Sequence, residues 1–383
     1  MTAQPRFLQI HTLSAYTAAL LNRDDSGLAK RLPFGGVLRT RVSSQCLKRH
    51  WRHAEDVHSL YGIAGVTEDF RSRELVTTKV MESLREQFPG EIVEALEPEV
   101  QAAVYGPRGV EKKSRQTLLL GAPEIDWLRS ETERLVNVAL DAGDGDVDRA
   151  AELAAKAAKA WRDDYHANFR AMREATALPG GLAAALFGRM VTSDAAANIT
   201  APVHVAHAFT VHEEEAEYDF LTAVDDLAAD ESSTDLIHET ELTSGLFYGY
   251  VVVDLNGLVS NLGGDADLAG RVLHNLVYLV AEISPGAKQG STAPYGRASF
   301  MLLEAGSRQP RSLAEAWRTP CPANVDRAVA ALASHLRALD DVYATGEERR
   351  FMSLADEEIP GAERGSLADI AAWAEGVVAR DMP

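Results

Sequence analysis

Residues 22–52 read NRDDSGLAKRLPFGGVLRTRVSSQCLKRHWR, and they set out a loop, a turn, a strand and a helix in that order. Asn22-Arg23-Asp24-Asp25 with Gly27 has loop composition, and Pro33 with Gly35-Gly36 marks a turn. Leu38–Val42 follows as a strand, with Arg39 and Arg41 on one face and Leu38, Thr40 and Val42 on the other. Ser43 or Ser44 then caps a helix running through Gln45 to Val57. Lys48 and Arg52 lie four residues apart and share a face of it. Ser43, Ser44 and Gln45 bring hydroxyls, an amide and the free N–H groups of a helix N-terminus together, a natural cradle for phosphate. Arg39 and Arg41 extend the track along the incoming strand, while Arg23, Lys30 and Arg31 face it from the loop. Such a surface holds a nucleic-acid backbone without reading bases. A solvated basic helix end is the plainer account of the same residues.

Outward from this stretch, Phe7–Leu13 alternates as a strand. Residues from about 67 to 178 are mostly helical in pattern. Within them Leu153, Ala157, Trp161, Tyr165 and Phe169 line one face of a helix over Arg149–Ala175. The run Asp141-Ala-Gly-Asp-Gly-Asp146 reads as a flexible acidic connector, because the remaining calcium ligands are not at EF-hand spacing. After Gly181, Leu186–Thr192, Val203–Val211, Gly245–Leu255 and Ser299–Glu304 read as strands. Ala266–Glu282 reads as a helix, and the tail from Ser312 to Met382 as mainly helical. The plan is α+β, with a helical insertion near 60–180 and an acidic, β-rich excursion near 193–243.

Taken as a whole-molecule sum, the net charge of −19 over 383 residues opposes a polyanionic partner. The charge is segregated, however. Met1–Arg52 holds nine Lys/Arg against Asp24 and Asp25 alone, whereas Met190–Gly270 holds sixteen Asp/Glu and no Lys or Arg. A polyanion feels the field within about 10 Å at physiological salt, so a basic head on an acidic body is compatible with RNA or DNA. Chance fluctuation of charge along a chain is the plainer alternative. Cys46 and Cys321 give neither a disulfide framework nor metal-ligand spacing. Neither an N-terminal leader pattern nor an apolar run of membrane-spanning length is present, so a cytoplasmic location with no membrane partner is expected. No cofactor and no metal are expected.

The 22–52 run resembles the N-terminal signature of the type I-E CRISPR Cascade backbone subunit, the CasC family. Further blocks match in the same order: LFGRM at 186–190, HVAHAFTVH at 204–212, DFLTAVDDL at 219–227, TSGLFYGY at 243–250 and PGAKQ at 285–289. The resemblance implies a right-hand shape. Residues 1–60 begin an RNA-recognition-motif-like palm, 61–180 form helical fingers, and 181–383 complete the palm with C-terminal helices and a thumb at about 193–243. It also implies a non-catalytic subunit that stacks on other copies of itself along the spacer of one CRISPR RNA. Other Cascade subunits and target DNA would be its partners in the assembled complex. RNA contacts carried over to this sequence fall at Arg23, Lys30, Ser43, Gln45, Lys48, Arg49 and Arg52, with Lys288 beside Gln289 on a further part of the track. Met190 and Ile237 match apolar residues that pack against bases. For Met190, the residues alone suggest ordinary core packing.

Two other functions fit parts of the same pattern. One is a metal-dependent RNA endonuclease of the type III backbone kind, using Asp24 or Asp25 with His11 or His50 nearby. The other is a stand-alone RNA-binding protein or a DNA-binding regulator. The acids of the excursion, Glu213, Glu214 and Glu215 among them, are expected to face the basic palm of an adjacent copy. Alternatively, they are solvated and keep the chain soluble.

Overall fold

A computed structural model describes residues 5–164, 169–170, 172, 178, 180–191, 195–224 and 234–379. The strands described are β1 (Phe7–Ala19), β2 (Arg31–Phe34), β3 (Val37–Val42), β4 (Asp69–Ser72), β5 (Leu118–Gly121), β6 (Val203–Val205), β7 (Ala208–Thr210), β8 (Glu215–Val224), β9 (Thr234–Asp254), β10 (Ala298–Gly306), β11 (Glu348–Ser353) and β12 (Ala362–Arg364). With the helices they make an α+β fold of two compact units. One comprises residues 1–63, 203–256 and 266–383, and the other 64–202 and 257–265.

The first unit is built on a mixed sheet of order β12-β11-β10-β1-β9-β7-β3-β2, with β6 and β8 also pairing to β9. Every pairing is antiparallel except β11 with β12. β1 is central, and its first seven residues are buried whichever way they point. On one side Leu13, Tyr248, Phe300 and Phe351 pack with Trp317 and the Val325–Tyr343 helix. The Ala266–Glu282 helix packs against β1 and β10 and runs between the same residues that its periodicity predicts. Gly35 and Gly36 turn β2 into β3 with φ of +64° and +86°. A Cβ on Gly35 would stand 1.7 Å from the Arg318 carbonyl oxygen, so this turn has both a conformational and a steric need for glycine.

Burial of both faces leaves polar groups of β1 to be satisfied inside the sheet. The Gln9 amide oxygen accepts from the Tyr250 hydroxyl at 2.7 Å and from the Arg311 N–H at 2.9 Å. His11 donates from Nε2 to Glu304 at 3.0 Å, and its Nδ1 meets the Tyr248 hydroxyl at 2.8 Å. Glu304 also accepts two bonds from Arg311, at 3.0 and 2.9 Å, and one from Arg349 Nε at 2.8 Å. Arg349 reaches on to Asp340 at 2.5 and 2.6 Å.

The second unit is largely helical. The helices Gly90–Tyr105, Ala122–Gly143 and Val147–Asp163 share one apolar core, with Trp161 and Phe169 in it and Trp127 packed against it. The connector around Asp144 is a tight turn between two helices. Asp141–Gly143 completes one helix, Asp144 and Gly145 take positive φ, and Asp146 caps the next helix at Arg149 N (3.1 Å). The predicted helix to Ala175 is described to Asp163, and Tyr165 and Ala175 lie outside the described residues.

Three other predicted elements differ from the structure. Gly181–Phe187 is a helix, not the first part of a strand over 186–192; its Ala-Leu composition favours helix, and Gly188 at φ +76° ends it. The predicted strand 203–211 is split into β6 and β7. Val205 pairs with Val251 and Phe209 with Tyr248, so four steps along one strand match three along β9, a β-bulge at Ala206–His207. The C-terminal tail adds β11 and β12 to the sheet between its two helices. Among the described residues, no helix is long and apolar enough to cross a membrane.

Candidate nucleic-acid interface

The helix predicted from Gln45 forms over Ser44–Arg52, here α1, and ends before Val57. Ser43 is its cap, with its hydroxyl accepting from Cys46 N at 3.3 Å. The phosphate cradle expected at this end is corrected by the structure, because most of its donors are already used. Ser43 N–H donates to the Asn22 side chain at 2.9 Å, Ser44 N–H to His207 Nδ1 at 3.2 Å, and Leu47 N–H to the Ser43 carbonyl at 3.1 Å. Ser43 is buried, whereas Gln45 is exposed beside it and accepts from the Ser44 hydroxyl at 3.3 Å. What remains for a ligand at this end is the side chains.

Arg39 also leaves the expected track. It is 0% exposed, and its guanidinium donates to the carbonyls of Phe34, Thr210 and Trp317 at 3.2, 3.1 and 2.9 Å. Leu38 faces solvent instead. Thr40 and Val42 are buried as their face of the strand predicts, so only its Leu38–Arg39 end departs from the alternation, where three backbone acceptors, two of them distant in sequence, make burial of a guanidinium tolerable. Arg31 is likewise engaged within the chain, in ion pairs with Glu214 and Glu241. Glu214 thus faces a cation of its own chain, so the acids of the excursion are not all available to a neighbour. Glu241 is 2% exposed and also accepts the Ala29 N–H at 2.6 Å, which ties the 22–30 loop to β9. Glu241→Ala is expected to cost the Ala29 amide about 1–3 kcal/mol of protection, read by hydrogen exchange. Unchanged protection would show that the loop is held elsewhere.

The other cations converge. Partial burial first, and then Arg41, Lys30 and Lys48, hold the His207 ring below its ordinary pKa. Burial raises the Cys46 thiol, against the opposing fields of Lys30 and Arg49. Lys30, Arg41, Lys48 and Arg49 therefore sit around the first turns of α1. Arg52 lies one turn beyond Lys48 and meets His53 at 3.0 Å. Lys288, with φ +55°, donates to Thr240 Oγ1 at 2.5 Å. It shares a cavity of about 260 Å³ with Arg23, Gly27, Tyr218, Glu239 and Thr240. Ile237 stands opposite Thr222 in the β8–β9 ribbon, and its side chain lies outside the described residues. Met190 belongs to the other unit and is 79% exposed, directly after Arg189, which is buried against Glu124 at 2.6 Å. It is not the core residue that its apolar character alone suggests.

The residues of the cleavage alternative do not assemble. His11 is inside the sheet with Glu304. Asp24 caps its own loop, accepting the N–H groups of Ser26 and Leu28 at 2.9 and 3.0 Å. His50 Nδ1 bonds the Cys46 carbonyl at 2.8 Å, and its Nε2 accepts from Gly286 N at 3.4 Å. Among the described residues, no three His, Cys, Asp or Glu side chains group as metal ligands. His207 is the residue the sequence did not single out, because it sits with His204 in the apolar run Val203–Val211 and only the bulge between β6 and β7 distinguishes it.

No curated protein matches this sequence. Solved structures similar to it include a chain of a CRISPR RNA-guided surveillance complex in a pre-nicking state. That chain is 25% identical, with a TM-score of 0.74, and the match covers 97% of this chain and 100% of that one. A chain of another CRISPR RNA-guided surveillance complex is 22% identical with a TM-score of 0.58, over 97% of this chain and 99% of that one. A family model for CT1975-like proteins matches residues 8–375, and over that span, nearly its whole length, the chain belongs to the CT1975-like protein family.

Proposed function

We propose that this chain is a non-catalytic, CRISPR RNA-binding backbone subunit of a type I-E Cascade surveillance complex of the CasC kind. Copies stack head to tail along the guide spacer, beside other Cascade subunits, and the assembly pairs the guide with target DNA in the cytoplasm. In this reading the sheet unit is the palm, the helical unit the fingers and the β8–β9 ribbon the thumb. Lys30, Ser43, Gln45, Lys48, Arg49 and Arg52 grip the RNA backbone, with Arg23 and Lys288 extending the grip and Met190 and Ile237 meeting bases.

The observation that carries the proposal is the gathering of Lys30, Arg41 and Lys48 around His207 at the start of α1, in a chain of net charge −19. Cations concentrated in one place of an acidic protein suit a backbone ligand of high negative charge. The likeness to chains of RNA-guided surveillance complexes over almost the full length supports the same partner. Purified from cells that carry a CRISPR array and its other subunits, the protein is expected to elute as a large assembly with protected guide-length RNA. Elution as a nucleic-acid-free monomer would remove the proposal.

A further inference from the structure

The bulge between β6 and β7 places His207 on the surface, among the cations that gather at the start of α1. The tautomer of this ring follows from its partners. The Ser44 backbone N–H can only donate, and it reaches His207 Nδ1 at 3.2 Å. Arg41 Nη1, also a donor, stands 3.3 Å from the same nitrogen. Nδ1 is therefore the acceptor, and the ring proton sits on Nε2. Among the described residues, no protein acceptor meets Nε2. Partial burial, and then the field of Arg41, Lys30 and Lys48, disfavours a second proton on the ring, so the neutral form is the one presented. A neutral imidazole locked by a backbone N–H offers one N–H in a fixed direction, within a cluster that otherwise carries long cationic side chains.

Taking the RNA-binding reading above as its basis, we propose that His207 is a further RNA-binding residue, donating from Nε2 to a phosphodiester oxygen held by Lys30 and Lys48. The cations supply attraction, and the histidine fixes where along the backbone the phosphate sits. A hydrogen bond to a charged acceptor is strong enough to register in affinity.

His207→Asn tests this in the full chain, because the Asn amide oxygen can replace Nδ1 as the acceptor for Ser44 while its NH2 group stops short of the position of Nε2. The probe is fluorescently labelled oligouridine, with binding read by anisotropy and the Ser44 amide followed by hydrogen exchange. The expected result is about tenfold weaker binding with the Ser44 amide still protected. Wild-type binding would overturn the assignment, as would weaker binding accompanied by lost Ser44 protection, which would mark His207 as a support for α1 only. Lys48→Glu with Arg52→Glu serves as the reference. If that variant also binds like wild type, the RNA-binding reading falls. If it binds weakly while His207→Asn binds normally, that reading stands and the role of His207 falls.

Discussion

Glu304→Ala is expected to destabilise the sheet unit by about 3 kcal/mol, the lower end of the cost of breaking a buried ion pair, because Glu347 still pairs with Arg311 and Arg349 and Asp340 with Arg349. Glu304 is 0% exposed and holds both Arg311 and Arg349 through charge-assisted bonds, as well as His11. Removing the carboxylate leaves Arg349, still paired with Asp340, facing Arg311 across a buried gap. The loss should therefore be smaller when Arg349→Met accompanies Glu304→Ala. Denaturant unfolding reads both, and a wild-type midpoint for Glu304→Ala would show that the network does not hold the sheet.

The same network sets the acid limit of stability. Burial alone would raise the Glu304 pKa, but the His11 hydrogen bond and the Arg311 guanidinium outweigh it and hold the carboxyl well below the ordinary value of 4.5. Burial lowers His11 from 6.5, against the pull of Glu304. Both folded-state values are depressed, so both groups contribute stability that is present above their unfolded values and lost as pH falls. The decline begins as pH drops through 6.5, where the unfolded histidine takes a proton, and steepens below 4.5.

Lys48→Glu with Arg52→Glu is expected to weaken RNA binding roughly a hundredfold, given two charge-assisted phosphate bonds. The plot of log affinity against log salt should become shallower by about 1.4, because each phosphate of a single strand that is no longer neutralised removes about 0.7. The weakening should be the same for any RNA sequence, because cations on phosphate carry no base information. Titrations with oligomers of different composition at several salt concentrations check this. An effect confined to some sequences would mean that these residues read bases.

Much of the fold is legible where local pattern and tertiary demand agree. The apolar periodicity of Ala266–Glu282 has matching ends in the structure, and Ser43 caps α1 as its side chain and position suggest. Legibility fails where a partner distant in sequence decides. Arg39 is buried because Thr210 and Trp317 offer carbonyls. β11 carries Arg349 inward because Glu304, on the neighbouring strand, awaits it, so the strand lacks the apolar alternation that would announce it. The basic residues of the site are legible as a cluster. Their focus is not, since His207 reaches them through a bulge that an apparently continuous run, Val203–Val211, conceals.

If copies of this chain line up along one RNA, the row is visible directly. Electron micrographs of the protein assembled with its partner subunits on a guide-length RNA should show one row of repeated copies following that RNA, with the row lengthening as the guide is lengthened. Single copies scattered on RNA, or a particle of fixed size whatever the guide length, would contradict it.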